Sequence, residues 1–226
     1  MKRLRACNPT QSCTTAVPQE VVVKRSFLSQ IILMTLILGL GASFAHAEND
    51  VALSLYGAFT GTTTGNGITQ SPSNSAGGIF ELRHISNPLI GYEATYSYNR
   101  ANQVYSPLVS CGIPCGNPSE PVAANAHEVT GDWIVSVHVA NLRPFVLGGV
   151  GLLIDSPSSG QSNTTSSNKP VFVYGAGLDW GLIPHLGLRV QYRGNLYKAP
   201  DLTTLYTSTN VFTHTAEPMI GAYFRF

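Results

Sequence analysis

The sequence predicts an all-β fold, an eight-stranded antiparallel up-and-down transmembrane β-barrel. Three observations predict it. From Val51 onward the chain falls into segments of about ten residues in which apolar and polar residues alternate, separated by turn-forming residues. The connections between segments run long, short, long, short, long, short, long, so every long one falls at one end of such a barrel. Within each readable segment the charges keep to one face. The opposite face is nearly charge-free over the length that a tilted strand needs to cross a hydrocarbon core.

Residues 1–47 precede this pattern and read as a secretory signal peptide, leaving 48–226 as the barrel domain. Met1-Lys2-Arg3-Leu4-Arg5 and Lys24-Arg25 supply the basic flank, Phe27 to Ala42 an apolar core, and Ala45-His46-Ala47 a small-residue exit. Ser29, Gln30 and Thr35 interrupt the apolar run, which is short for a spanning helix. The basic region is long, which leaves open a start downstream of Met1. Absence of a Cys at the exit argues against a lipoprotein.

Removing the leader changes charge and cysteine content. Of 13 Lys and Arg, five lie in the leader, as does one of the 12 acids, so the remainder carries eight basic and eleven acidic residues. No basic patch for nucleic acid is left. Charged residues make up 11% of the chain, against a usual ~25%. Only Cys111 and Cys115 remain, and in an exported chain this spacing reads as a local disulfide. A metal site would need further ligands, for which His127 is the nearby candidate.

The first strand runs from Val51 to Gly61, with Val51, Leu53, Leu55, Gly57 and Phe59 opposite Ala52, Ser54, Tyr56 and Ala58. Gly61 to Asn74 has the composition of a flexible loop. In the second strand, Gly77 to Ile85, Gly78, Phe80 and Leu82 oppose Glu81 and Arg83. Ser86-Asn87-Pro88 makes a short turn, because Pro cannot continue a ladder. The third, Leu89 to Asn99, groups Ile90, Tyr92, Ala94, Tyr96 and Tyr98 against Glu93, Thr95, Ser97 and Asn99. A long polar connection covers Arg100 to Ala124.

The fourth strand, Asn125 to Ala140, sets Val129, Trp133, Val135, Val137 and Val139 against Glu128, Thr130, Asp132, Ser136 and His138. After Asn141-Leu142 comes the fifth, Arg143 to Ile154, too apolar and glycine-rich for its facing to be read. A Ser/Thr/Asn/Gly loop follows from Asp155 to Lys169. The sixth strand, Val171 to Leu182, opposes Phe172, Tyr174, Ala176, Leu178 and Trp180 to Val173, Gly175, Gly177 and Asp179. Ile183-Pro184-His185 turns the chain. In the seventh, Leu186 to Tyr197, Leu186, Leu188, Val190, Tyr192 and Leu196 oppose Arg189, Gln191, Arg193 and Asn195. A loop from Lys198 to Thr209 leads to the eighth strand. There Ile220, Ala222, Phe224 and Phe226 share one face and Met219, Gly221, Tyr223 and Arg225 the other.

A soluble lipocalin-like barrel also alternates, with its apolar face turned inward around a ligand. The balance tips to an apolar exterior because Tyr92, Tyr98, Trp133, Trp180, Tyr192 and Phe226 lie on the apolar faces, several near strand ends, as interfacial girdles require. Long loops are then extracellular and short turns periplasmic. Glu81, Arg83, Glu93, Glu128, Asp132, Asp179, Arg189, Arg193 and Arg225 point into a narrow lumen, where opposite signs can pair. No catalytic, cofactor-binding or metal-binding residue is expected.

Two resemblances add to this reading. Gly221, Phe224 and Phe226 match Gly-x-x-aromatic-x-aromatic and resemble the C-terminal signal of bacterial outer-membrane barrels, which implies recognition by the barrel assembly machinery. Arg143 to Gly151, Tyr174 to Trp180 with Leu186 to Gly194, and Glu217 to Gly221 with Phe224 to Phe226 resemble strands of the small outer-membrane β-barrel domain family, related to the OmpA transmembrane domain. The resemblance covers essentially all of 48–226. It implies an eight-stranded barrel held in outer-membrane lipid, without the periplasmic peptidoglycan-binding domain of full-length OmpA, and says little about activity.

Four roles are compatible with such a barrel. The first is a non-enzymatic one, in envelope integrity or surface contact, with the lumen charges as a structural plug. The second is a narrow solute or ion conduit, for which Gly149, Gly151, Gly175 and Gly177 would leave gaps. The third is a lipid A hydrolase: His84-Ile85-Ser86-Asn87 resembles the catalytic segment of lipid A 3-O-deacylases, with Ser86 as nucleophile, His84 as base and Glu93 as a third member. Against it, the string sits on the second strand beside Pro88, at the periplasmic end, and His84 and Glu93 fall on opposite faces. The fourth is ligand binding by the loops, the longest stiffened by the cysteine pair. No loop sequence names a partner.

Overall fold

The computed structural model describes residues 48–108 and 119–226. Cys111, Cys115 and the leader 1–47 lie outside the described residues. Ten strands form in chain order: β1 (Glu48–Thr60), β2 (Thr63–Gly65), β3 (Ile68–Pro72), β4 (Ser75–Ile85), β5 (Ile90–Pro107), β6 (Glu120–Ser136), β7 (Leu142–Pro157), β8 (Ser167–Ile183), β9 (Leu186–Lys198) and β10 (Phe212–Arg225). Eight of them, β1 and β4 to β10, pair each with its neighbour, all antiparallel, and β1 against β10 closes the ring. Closure satisfies every edge, which is what a sheet needs where no water can bind a free N–H or C=O. The expected eight-stranded up-and-down barrel is the observed one.

The closing seam runs from Asp50 opposite Arg225 to Tyr56 opposite Met219, and resumes at Phe59 opposite Ala216. In the gap stand Gly57, Ala58, Glu217 and Pro218, and Pro218 has no N–H to give. Asn49 and Phe226 exchange backbone hydrogen bonds of 3.3 and 2.9 Å, so both ends of the barrel sheet meet at the short-turn end.

Facing follows the alternation. Leu53, Leu55, Trp133, Val150, Val190 and Ile220 are exposed, and Ala52, Ser54, Tyr56 and Ala58 buried. With charges inside and aliphatics outside, the barrel is inverted relative to a lipocalin-like one. Tyr92, Trp133, Trp180, Phe224 and Phe226 ring the short-turn end. Toward the other end the outward tyrosines find polar partners: Tyr96 with His127 Nδ1 at 2.8 Å, Tyr98 donating to Asn125 Oδ1 at 3.1 Å, and Tyr174 with His214 Nε2 at 2.9 Å. Such rings suit the two interfaces of a bilayer.

The strands depart from the expected bounds chiefly at the long-loop end. β5 continues past Asn99 to Pro107, and β6 begins at Glu120, where a polar connection was expected from Arg100 to Ala124. Above the membrane both faces of a strand meet polar surroundings, so the ladder persists while the apolar alternation fades. The expected flexible loop at 61–74 contains the β2–β3 hairpin, turned by Asn66 and Gly67, both at positive φ (50° and 76°). β3 then pairs with the extension of β5, Ile68 opposite Pro107. β8 begins at Ser167, inside the expected loop. β6 stops at Ser136 rather than Ala140: Val139 and Leu142 bracket a tight turn with Ala140 at φ 54°. Leu182 is an extra residue at the β8–β9 turn, where the register shifts between Gly181 and Ile183.

Candidate functional site

The lumen is built by the inward parity of eight strands. Asp50, Ser54 and Tyr56 come from β1, Glu81 and Arg83 from β4, Glu93 and Thr95 from β5, Glu128, Thr130 and Asp132 from β6. Asp179 comes from β8, and Arg189, Arg193 and Asn195 from β9; all are buried. β7, whose facing cannot be read from its sequence, turns Arg143, Phe145, Leu147, Leu153 and Asp155 inward.

Two arginine layers fill this space. In the lower one, Arg189 Nε donates to Asp179 Oδ1 at 2.7 Å, its Nη2 to Asp50 Oδ1 at 3.0 Å, and its Nη1 to Glu81 Oε2 at 3.3 Å. Arg83 donates through Nε to Glu93 Oε2 at 2.7 Å and through Nη1 to Asp179 Oδ2 at 3.0 Å. Phe145 lies under both guanidiniums, 4.2 Å from Arg83 and 5.6 Å from Arg189. In the upper layer, Arg193 Nη2 donates to Glu128 Oε1 at 3.1 Å and Thr130 Oγ1 at 2.8 Å, and Nη1 to Thr95 Oγ1 at 3.1 Å. Asp132 Oδ2 stands 3.8 Å from Arg193. Arg189 and Arg193 are each 0% exposed, and such charges survive burial only when paired and hydrogen-bonded. Together the layers join β1, β4, β5, β6, β8 and β9 across the lumen.

Arg225 is not part of these layers. It sits at the short-turn rim with its Nε 3.5 Å from Glu48 Oε2, and Arg143 pairs with the same carboxylate. A recess of about 320 Å³ opens at this rim, lined by His138, Arg143, Asp179, Tyr223 and Arg225. Beyond the upper layer lies a second, smaller space of about 40 Å³. The four inward glycines leave no gaps. A Cβ at Gly149 would collide with Asp132, at Gly151 with the Val129 carbonyl, at Gly175 with the Tyr192 carbonyl, and at Gly177 with the Phe145 ring.

Above the barrel, loop 199–211 folds over the mouth. Tyr105 is its anchor: the hydroxyl donates to the Pro200 carbonyl at 2.8 Å and accepts from the Leu202 amide at 3.2 Å. Gln70 Nε2 donates to the same carbonyl at 3.2 Å. Ile68, Val122, Ala124 and Leu202 pack around the ring.

His84, Ser86 and Glu93 do not converge. His84 Nδ1 meets Asn49 Oδ1 at 2.7 Å on the outer wall and its ring lies against Tyr92. Ser86 is exposed in the short turn, where its amide donates to the Ile90 carbonyl. Glu93 is inside, held by Arg83. Gly221 and Phe224 lie on opposite faces of β10, and Phe226 stands just past its end, exposed. A Cβ at Gly221 would strike Ser54, so the close approach of β1 requires glycine there. Four charged lumen residues, Asp50, Arg143, Asp155 and Glu217, are absent from the set that sequence reasoning selects. Extending the alternation of the first and last strands by parity reaches Asp50 and Glu217. β7 offers no such signal for Arg143 and Asp155, because both of its faces are apolar.

No protein-family model and no curated protein sequence matches the chain. Solved structures do. The outer membrane protein OprG from Pseudomonas aeruginosa aligns with a TM-score of 0.53 at 11% identity, over 80% of this chain and 96% of that one. Neisserial surface protein A aligns at 0.51 and 13% identity, over 80% and 100%. Ail, the attachment invasion locus protein of Yersinia pestis, crystallised with the heparin analogue sucrose octasulfate, aligns at 0.50 and 17% identity, also over 80% and 100%. The chain has the fold of the small eight-stranded outer-membrane β-barrels.

Proposed function

We propose that this chain is a non-enzymatic barrel of the bacterial outer membrane whose body is a sealed structural plug and whose work is done at the envelope or its surface. The carrying observation is the double arginine lattice across the lumen. An eight-stranded barrel is only wide enough for side chains to fill, and here Arg83, Arg189 and Arg193 with their carboxylates fill it. The space beside the inward glycines is occupied by neighbours. Outer-membrane lipid surrounds the apolar wall, and the barrel assembly machinery would read Gly221, Phe224 and Phe226. The dispersal of His84, Ser86 and Glu93 supports a role without hydrolysis.

A surface-contact role is favoured over a purely mechanical one by the ordered platform above the mouth, where β2, β3, the β5–β6 extensions and loop 199–211 are tied together through Tyr105 and Gln70. Ordered polar loops on a rigid barrel suit binding. Planar-bilayer recording tests the seal: the purified barrel is expected to give no steady conductance steps, and regular steps would make it a conduit. Envelope permeability to a bulky antibiotic, compared with and without the protein, tests the integrity role, and whole-cell binding to host-type surfaces the contact role.

A further inference from the structure

The ring strands sort their charges by face. Every acidic residue on them has the inward parity, from Glu48 and Asp50 on β1 to Glu217 on β10. Of their Lys, Arg, Asp and Glu residues, two point outward: Arg100 on β5 and Lys198 on β9, both exposed and both cationic. The ion pairs of the described residues take up Arg83, Arg143, Lys169, Arg189, Arg193 and Arg225 and leave these two out. The sequence of 109–118 offers them no acid either.

Both cations occupy the same place relative to the membrane. On β5, Arg100 stands one outward position beyond Tyr98, which lies opposite His127. On β9, Lys198 stands one outward position beyond Leu196, which lies opposite His214, the partner of Tyr174. Each therefore sits just past the tyrosine–histidine band of the long-loop end, where hydrocarbon gives way to headgroups. A charge on the lipid face is costly at the bilayer midplane and tolerated near its interfaces. Lys198 is opposite Phe212, which is 67% exposed; its Nζ lies 5.9 Å from that ring and donates to Asn210 Oδ1 at 3.1 Å. Arg100 is opposite Asn125, whose Oδ1 accepts from the Tyr98 hydroxyl. At the short-turn end, the outward face carries neither lysine nor arginine among the described residues.

We infer that Arg100 and Lys198 are docking points for the phosphate groups of lipid headgroups in the outer leaflet. Phosphate supplies the negative charge that neither side chain finds within the protein. The arginine fork can meet two phosphate oxygens at once, and the lysine acts as a point charge. Phe212, laid beside that lysine, packs against the apolar part of the same lipid. Such attraction acts within a Debye length of the surface. The barrel then holds one leaflet by charge and the other by apolar and aromatic contact alone. This inference rests on the outer-membrane reading of the barrel.

The test places the folded barrel in zwitterionic phosphatidylcholine vesicles. These are doped with bisphosphorylated lipid A, doped with the same glycolipid after dephosphorylation, or left undoped with free inorganic phosphate in the buffer. The thermal unfolding midpoint is read from gel mobility. A ligand that binds the folded state alone stabilises it, so the phosphorylated lipid is expected to raise the midpoint by several degrees over the other two. High salt should shrink that increment. Arg100→Gln and Lys198→Gln should each remove part of it, and the double substitution nearly all. Because both side chains are exposed, the midpoint in undoped vesicles should stay where it was. Equal midpoints with phosphorylated and dephosphorylated glycolipid on the unmodified barrel would overturn the inference without any variant. So would an increment that survives the double substitution, or one that free phosphate reproduces. A barrel that fails to insert into undoped vesicles would instead count against the membrane reading, and this inference would fall with it.

Discussion

Arg189 holds Asp179, Asp50 and Glu81 at once, three carboxylates from three strands. Replacing one member of a buried ionic cluster leaves the others charged and unpaired, which costs about 3–5 kcal/mol. Arg189→Met should therefore lower the stability of the barrel by that amount, measured as the shift of a urea unfolding curve in detergent or vesicles. Ala140 is the opposite case. Its φ of 54° lies in the left-handed region, where a Cβ costs roughly 1–2 kcal/mol. Ala140→Gly is expected to recover about 1 kcal/mol in the same titration, without change in fold or gel mobility. The facing of these side chains is legible from alternation, since parity along a strand decides inside from outside. Their partners are not. Which arginine meets which acid depends on how far each strand is displaced along the barrel, and on distances across a lumen that no single strand's pattern encodes.

At the scale of elements, strands inside the membrane announce themselves in the sequence and those above it do not. Lipid on one side and charge on the other write a strong contrast, as in β9 between Leu188, Val190 and Tyr192 and Arg189, Gln191 and Arg193. Once β5 leaves the hydrocarbon, Ala101, Gln103 and Tyr105 still point one way, but their opposite face no longer has to be greasy. One signal is nevertheless present. Asn66-Gly67 is the dipeptide that a two-residue hairpin with positive φ at both central positions prefers, and it turns β2 into β3. The Tyr105 hydroxyl holds two backbone groups of this platform, the Pro200 carbonyl and the Leu202 amide, so Tyr105→Phe should loosen loop 199–211 while leaving the barrel intact. Losing the bonds to Pro200 and Leu202 is worth about 1–3 kcal/mol locally. Hydrogen exchange at the Leu202 amide should quicken by at least several-fold, with the barrel's unfolding midpoint unchanged.

At the scale of the molecule, the eight-stranded ring has no edge among the described residues, and its stability belongs to the closed ring rather than to any hairpin. A folded barrel should accordingly migrate differently on a gel from its boiled form; co-migration of the two would contradict a closed ring. The seam between β1 and β10 carries one more consequence. Asn49 and Phe226 are bonded neighbours at the short-turn end, so the order in which the chain visits the strands is arbitrary with respect to the ring itself. A circular permutant with Phe226 joined to Glu48 through a few Gly and Ser residues, and new ends cut within the 157–167 connection, should refold to the same heat-resistant barrel. In that permutant the strand bearing Gly221, Phe224 and Phe226 would lie mid-chain. Refolding in detergent alongside failed insertion in cells would then separate what the ring needs to close from what the cell needs in order to place it.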